Sequence, residues 1–139
     1  ETWYSRMPRP ADLVEHGGFV DTLIWLPHVP KHWRRVIRKM MNDDRTKRYD
    51  SAAQAMDAVA NLPVVPDWQT VVRADGVDWT LDCGDRIRHV RWTVHSPRSH
   101  EWRAWSTPVG PGRPKTLDSS NGVVSRRDAI RQLERYFDV

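Results

Sequence analysis

Apolar residues recur at helical spacing in two runs between Leu26 and Leu62, and a charged turn separates the runs. The first run follows Pro30, which can open a helix because its ring presets the helical φ. The second run starts at Ser51, which forms a capping-box pattern with Gln54 three residues later. The spacing places these apolar residues on the inner faces of two helices: Trp33, Val36, Ile37, Met40 and Met41 on the first, and Ala52, Ala55, Met56, Val59 and Leu62 on the second.

The residues before these runs have a weaker pattern. Residues 1–10 show no period and predict an extended arm, whereas residues 11–26 predict a helix that Gly17-Gly18 breaks into two short pieces. These pieces would pack on the inner faces of the two longer helices. Residues 1–62 are therefore expected to form a small helical bundle with enough apolar positions for its own core.

A stiff Pro-Val-Val-Pro linker at residues 63–66 precedes a change from helical to alternating periodicity. Alternation predicts four strands over residues 69–74, 77–83, 86–95 and 101–107, with a bulge near Arg88-His89 because Ile87 is out of phase. Asp75-Gly76 predicts a type I′ turn between the first two strands. Cys83 falls on the apolar face of the second strand, where a buried, inert thiol is expected.

The end of the chain predicts a loop and a helix. Residues 108–122 are rich in Gly, Pro and Ser and predict a mobile loop, and Ser125 with Asp128 then predicts a capped final helix. The fold class expected is α+β, with an N-terminal helical bundle followed by an antiparallel β-meander and a C-terminal helix. The expected organisation is a helical unit at 1–62, a linker at 63–66 and a sheet-plus-helix module at 67–139.

The stretch VPKHWRRVIRKMMNDDRTKRYDSAAQAMDAV resembles the last two large helices of the C-terminal lobe in bacterial protein Ser/Thr kinases. In that family a basic amphipathic helix runs into a charged turn, an Arg-Tyr or Arg-Phe, then Ser-Ala and a final helix. The resemblance covers residues 26–62 only. It implies that Arg48 is a structural anchor, because the matching family Arg is buried and pairs with the Glu of an upstream Ala-Pro-Glu motif.

The chain departs from the family at every catalytic feature. It contains no Gly-rich phosphate loop, strand lysine, His-Arg-Asp loop or Asp-Phe-Gly motif, so the sequence predicts no kinase activity and no catalytic residue. The Ala-Pro-Glu partner is absent as well. Arg48 must therefore find another carboxylate, reach solvent, or pair with a segment that is not in this sequence.

Composition adds bounds on location and chemistry. One cysteine and no apolar run of about 18 residues predict a cytoplasmic protein without a membrane partner. His28 and His32 flank Pro30, and His95, His100 and Glu101 lack a recognised ligand spacing, so neither a metal site nor a cofactor is expected.

Basic residues give the stronger chemical signal, with 22 Lys+Arg against 18 Asp+Glu and 8 Trp. Like charges stand four residues apart on the final helix, and arginines alternate with tryptophans on the strands. Such columns are more often solvated faces than ligand sites. The candidate anion or nucleic-acid contacts are Arg91, Arg103, Arg126, Arg127, Arg131, Arg135 and Trp105.

Two functions follow from these patterns. The first is a non-catalytic regulatory or protein-interaction module, the C-terminal part or remnant of a Ser/Thr kinase-like protein, whose partner is another protein or the missing upstream segment. The alternative is RNA or DNA binding through the basic, Trp-containing sheet and final helix. The module is also loosely similar to the double-stranded RNA-binding domain, in which the basic start of the second helix lies over phosphates.

Overall fold

The protein has an α+β fold, as the hydrophobic pattern predicts, and the computed structural model describes residues 10–138. The chain divides into two compact units, Glu1–Pro63 and Val64–Val139. The first unit is helical, and the second is an antiparallel sheet followed by a C-terminal helix. The extended arm predicted at the start of the chain lies outside the described residues except for Pro10, which begins the first helix.

From residue 10 onwards, the helical unit contains three α-helices and two short 3-10 turns. The α-helices are α1 at Pro10–Glu15, α2 at Lys31–Met40 and α3 at Ala52–Ala60, and the 3-10 turns are Val20–Thr22 and Arg45–Lys47. The break between α1 and the first 3-10 turn lies at Gly17, whose φ of +74° favours glycine.

Side chains hold the starts of α2 and α3. Arg34 donates from Nε to the carbonyl oxygen of Val29 at 2.7 Å and from Nη2 to that of Leu26 at 3.3 Å, which closes the turn before α2. Ser51 caps α3 by accepting the backbone N–H of Gln54 at 3.2 Å, as the capping-box pattern predicts. The Gln54 side chain accepts from the Asp50 N–H instead of completing the box at Ser51.

The helical unit does not bury a core of its own within the described residues. Among those residues, only Val20 and Pro27 of this unit are fully buried, and neither α2 nor α3 has a buried residue. The apolar stripes exist, but Met56 is 71 % exposed and Met40 is 41 % exposed. The expectation of a bundle with a buried core of its own is therefore wrong for this part of the chain, where the residues of both stripes are half-buried or exposed.

The second unit is a five-stranded antiparallel meander covered by one helix. Its strands follow chain order, and α4 packs against β4. The elements are β1 at Gln69–Arg73, β2 at Gly76–Asp82, β3 at Arg86–Ser96, β4 at Ser99–Pro108, β5 at Lys115–Ser119 and α4 at Arg126–Phe137.

The core of this unit lies between the sheet and α4. Trp79 and Leu133 are completely buried, and the Trp102 indole N–H donates to Gln132 Oε1 at 2.8 Å, which ties β4 to α4. Phe137 packs edge-on against Trp79 with ring centroids 5.2 Å apart. Ser125 caps α4 by accepting the Asp128 N–H at 3.1 Å, as predicted.

Two local predictions about the first three strands need correction. Arg73 pairs with Gly76, so the β1–β2 connection is Ala74-Asp75 and is not a type I′ turn at Asp75-Gly76. Neither connecting residue has a positive φ, which a type I′ turn requires at both central positions. The irregularity in β3 lies between Val94 and Ser96, whereas pairing runs without a break through Arg88-His89.

The segment predicted as a mobile loop contains a strand. β5 pairs with β4 from Arg103↔Ser119 to Ser106↔Lys115, with a register shift along the way. Its side chains are almost all exposed, so it lacks the apolar alternation that predicts the other strands. None of the described helices is both long and apolar enough to span a bilayer.

Candidate binding surfaces

One face of the sheet packs against α4, and we call the opposite face the open face. Trp102 and Ala104 are buried on the α4 side, so Arg103 and Trp105, which alternate with them along β4, lie on the open face. Arg91 pairs with Arg103 across β3 and β4 and therefore lies on the same face. The structure thus brings together three of the residues that the sequence singled out.

An aromatic cluster lies on β3 and β4 of the open face. His89 pairs with Trp105 in the strand register, and their rings are stacked with centroids 5.1 Å apart and planes 13° apart. The Arg103 guanidinium lies 4.8 Å from the centroid of the Trp105 ring, which is a cation–π distance. His89 was not among the candidate residues from the sequence. Its position opposite Trp105 follows from the pairing of β3 with β4.

Arg103 also lines two shallow depressions on the sheet. One of about 240 Å³ is lined by Arg91, Thr93, Glu101 and Arg103, and one of about 320 Å³ is lined by Arg103, Trp105 and residues of the β4–β5 edge. The face is therefore not flat beside the cluster. A planar group could enter next to the indole and meet the guanidinium.

Arg91 is already engaged within the protein. Its Nε and Nη2 donate to the two carboxylate oxygens of Asp78 at 2.9 and 3.0 Å, a bidentate pair. The hydrogen bond to Asp78 raises the pKa of Arg91, against an opposing effect of burial. Arg73 also lies 3.4 Å from Asp78. Arg91 therefore stabilises the sheet face and offers less to a ligand than Arg103 does.

The arginines of α4 form a separate surface. Arg126, Arg127, Arg131 and Arg135 are exposed, whereas Ala129 and Leu133 of the same helix are buried against the sheet. Arg131 donates to Asp128 Oδ1 at 2.8 Å, which offsets part of the column's charge. Because α4 covers the other face of the sheet, a single flat ligand cannot contact this column and the open face together.

Arg48 reaches solvent. It is exposed, and its Nε donates to the carbonyl oxygen of Asn42 just after α2. No carboxylate lies within ion-pair distance of it among the described residues. Of the outcomes that the sequence allows, the structure adopts solvent exposure combined with a backbone contact.

The histidines and the cysteine do not assemble a reactive centre in residues 10–138. His95 pairs with Glu101 at 3.2 Å, while His100 is buried and its Nδ1 accepts from the Trp92 indole at 3.2 Å. No group of three metal-ligating side chains occurs within the described part of the chain. Cys83 is exposed, contrary to prediction, because β2 ends at Asp82.

Comparison with known proteins provides no relative for this chain: no family model, curated protein or solved structure matches it.

We expect the stability of the sheet unit to fall in mild acid in part through His89. Burial lowers the pKa of His89 from its usual 6.5, so the folded state favours the neutral ring. The contribution of His89 to the free energy of unfolding is fully present above the pKa of His89 in the unfolded chain. It is lost as the pH falls through the lower pKa of His89 in the folded state. An NMR titration of the His89 ring should give a midpoint below 6.5, and a midpoint above that value would contradict the expectation.

Proposed function

We propose that the chain is a non-catalytic protein-interaction or regulatory module, the C-terminal part of a Ser/Thr kinase-like protein or its remnant. The observation that carries the proposal is the uncovered apolar surface of the helical unit. The helices α2 and α3 bury none of their residues, although both have amphipathic patterns. Exposed apolar surface of this kind is typical of a segment that packs against a partner.

The kinase resemblance identifies the partner that fits this surface best. In that family the two matching helices are the last large ones of the C-terminal lobe, and the Arg that matches Arg48 is buried against the Glu of an upstream motif, so packing on an upstream segment is what the resemblance implies. The same packing would cover Met40, Met56 and Val59, which are at least 40 % exposed here. It would also supply Arg48 with the upstream carboxylate that the described residues lack. We therefore propose an upstream kinase-like segment as the partner of the helical unit.

Arg48 provides a direct test, because its surroundings would change on docking. In the present chain, Arg48→Ala should lower the melting temperature only slightly more than Arg45→Ala does, since both side chains are exposed. In a longer polypeptide that includes the upstream segment, Arg48 would be buried and paired. Its loss should then cost about 3 kcal/mol or more, whereas Arg45→Ala should remain near neutral.

The measurement is thermal unfolding of both variants in both lengths of chain. Equal effects of Arg48→Ala in the short and long chains would contradict the proposed packing. A reading frame that encodes no kinase-like segment upstream of these residues would contradict the assignment of the partner.

The second candidate function is nucleic-acid binding, and the stack of His89, Trp105 and Arg103 on the open face favours it. Bases of single strands stack on exposed aromatic rings of sheets and meet arginines beside them. The open face offers one half-buried ring, Trp105, which is stacked on His89 and flanked by Arg103, a cation that has no carboxylate partner among the described residues. The α4 column is the competing nucleic-acid surface, on the other side of the unit.

Single substitutions separate these two surfaces. If the open face binds single-stranded DNA or RNA, Trp105→Leu should weaken binding by about tenfold or more, because stacking contributes about 1–3 kcal/mol per base. Arg103→Gln should also lower the slope of log binding constant against log salt concentration by roughly one unit, the value for one lost phosphate contact. Arg135→Gln is the matched control on the opposite layer. Fluorescence anisotropy with a labelled oligonucleotide at two salt concentrations measures both effects, and a flat titration of the unsubstituted chain would remove this candidate.

A further inference from the structure

Helix α2 has the highest density of uncompensated positive charge among the described elements. Its ten residues, KHWRRVIRKM, include five Lys or Arg and no Asp or Glu. Lys31, Arg35 and Arg38 stand three and four residues apart, so they share one face of the helix. All three are exposed, and none has an ion-pair partner in residues 10–138.

These three cations line a depression of about 370 Å³ together with Trp25 and Arg34, and we call it the basic pocket. Arg34 donates from Nε and Nη2 to carbonyl oxygens of the turn before α2, so it fixes the turn that lies between Trp25 and Lys31 in the chain. No acidic side chain of the described residues lines the depression. Like charges at these spacings repel one another, and a bound anion would offset that repulsion.

Trp25, which lines the same depression, adds a second observation. The indole Nε1 of Trp25 is shielded from solvent and has no hydrogen-bond acceptor among the described residues. A buried donor without an acceptor is costly, and native structures usually satisfy it. An oxyanion in the basic pocket would supply acceptor oxygens to the lysine, to the arginines and, after a small shift of the ring, to the indole N–H.

We propose that the basic pocket binds the phosphate monoester of a phosphorylated serine or threonine on a partner polypeptide. A phosphate monoester carries about −1.5 to −2 charges near neutral pH and three strong acceptor oxygens, which suits several cations converging on one point. Arginine clusters recognise phosphorylated side chains in this way. The cations lie within two turns of one helix and do not form an extended track, which favours a single phosphate over a nucleic-acid backbone.

This inference rests on the proposed function as a protein-interaction module, because it names the chemistry of a partner. Its test uses the full chain near neutral pH and a pair of fluorescein-labelled Gly/Ala peptides that differ only in phosphorylation of one serine. The phosphorylated peptide should bind, the unphosphorylated peptide should bind at least about tenfold more weakly, and inorganic phosphate should compete.

The variants locate the site. Arg35→Gln with Arg38→Gln should weaken binding of the phosphorylated peptide by about tenfold or more, since two charge-assisted contacts are lost. The matched control, Arg45→Gln with Lys47→Gln, removes the same charge from the turn after α2 and should change binding by less than about twofold. Trp25→Phe keeps an aromatic ring but removes the indole N–H, so the NMR signal that disappears in this variant belongs to Trp25. In the unsubstituted chain, that signal should move when the phosphorylated peptide is added.

The proposal would be overturned if both peptides bound alike, or if both double variants weakened binding equally. It would also be overturned if a labelled single-stranded oligonucleotide bound more tightly through Arg35 and Arg38, which would assign the pocket to nucleic acid. These outcomes are independent of the Arg48 experiment. If the phosphopeptide experiment fails and the Arg48 experiment succeeds, the module has no phosphate pocket. If the Arg48 experiment fails and the phosphopeptide binds, the pocket has no kinase-like partner.

Discussion

Replacing Gly76 with alanine is expected to destabilise the sheet unit by about 3 kcal/mol or more, one of the largest effects of any single substitution in this protein. Gly76 begins β2 directly opposite Thr93, with a φ of +154° that side-chain-bearing residues rarely adopt. A Cβ built there would lie 1.9 Å from the backbone carbonyl oxygen of Trp92. Because that oxygen belongs to a central strand, relief requires moving β2 away from β3.

Gly84→Ala is the matched control for backbone strain alone. Gly84 also has a positive φ, +85°, but nothing lies within 4 Å of the position that a Cβ would take there. Its replacement should cost only about 1 kcal/mol, the usual penalty for a strained backbone. Chemical denaturation of the two variants measures both values. If the two free energies of unfolding were equal, β2 would not approach β3 closely at Gly76.

The Asp75-Gly76 dipeptide predicts a turn because that pair commonly supplies two positive φ values. The structure uses the glycine for a different purpose, the close approach of two backbones. Both uses favour glycine at position 76, so the sequence alone cannot distinguish them. Only the register of β1 against β2 and of β2 against β3 decides between them.

Strands marked by apolar alternation or by a neighbouring turn signal were predictable, and β5 was not. Val77, Trp79 and Leu81 alternate with polar residues, and this alternation predicts β2 to within one residue at each end. β5 is held by backbone pairing with β4 while its side chains stay exposed, so it leaves no such pattern. The same distinction explains why the pattern misplaces Cys83, which continues the alternation one step beyond the end of the strand.

The sequence identified most of the candidate site residues, but it did not show which of them lie on the same surface. Arg103 and Trp105 are out of phase with buried Trp102 and Ala104, so their common face follows from the sequence. The position of Arg131 on the far side of the sheet does not follow, because it depends on which face α4 covers. Trp25 gave no signal at all, since its unsatisfied N–H is a property of the folded neighbourhood.

Amide exchange in the full chain should be slower in the sheet than in α3 by about a thousandfold or more, which corresponds to roughly 4 kcal/mol of opening free energy. Trp79, Val90 and Ala104 belong to central strands and are essentially buried, so their amides should open only when the sheet unit unfolds. α3 has nine residues and buries none of them. Isolated helices of that length are marginal in water, so α3 depends on packing that the described residues do not supply.

Hydrogen–deuterium exchange followed by NMR measures both sets of amides in one sample. Gln54 and Ala55 in α3 report on the helical unit, and Val90 reports on the sheet. Covering α3 with the proposed upstream segment should slow exchange in α3 and leave the sheet amides unchanged, because the partner would stabilise only the unit that it contacts. Comparable protection of α3 and β3 in the chain alone would contradict this expectation. The helical unit would then have a core of its own, and its exposed apolar stripe would no longer support a docking partner.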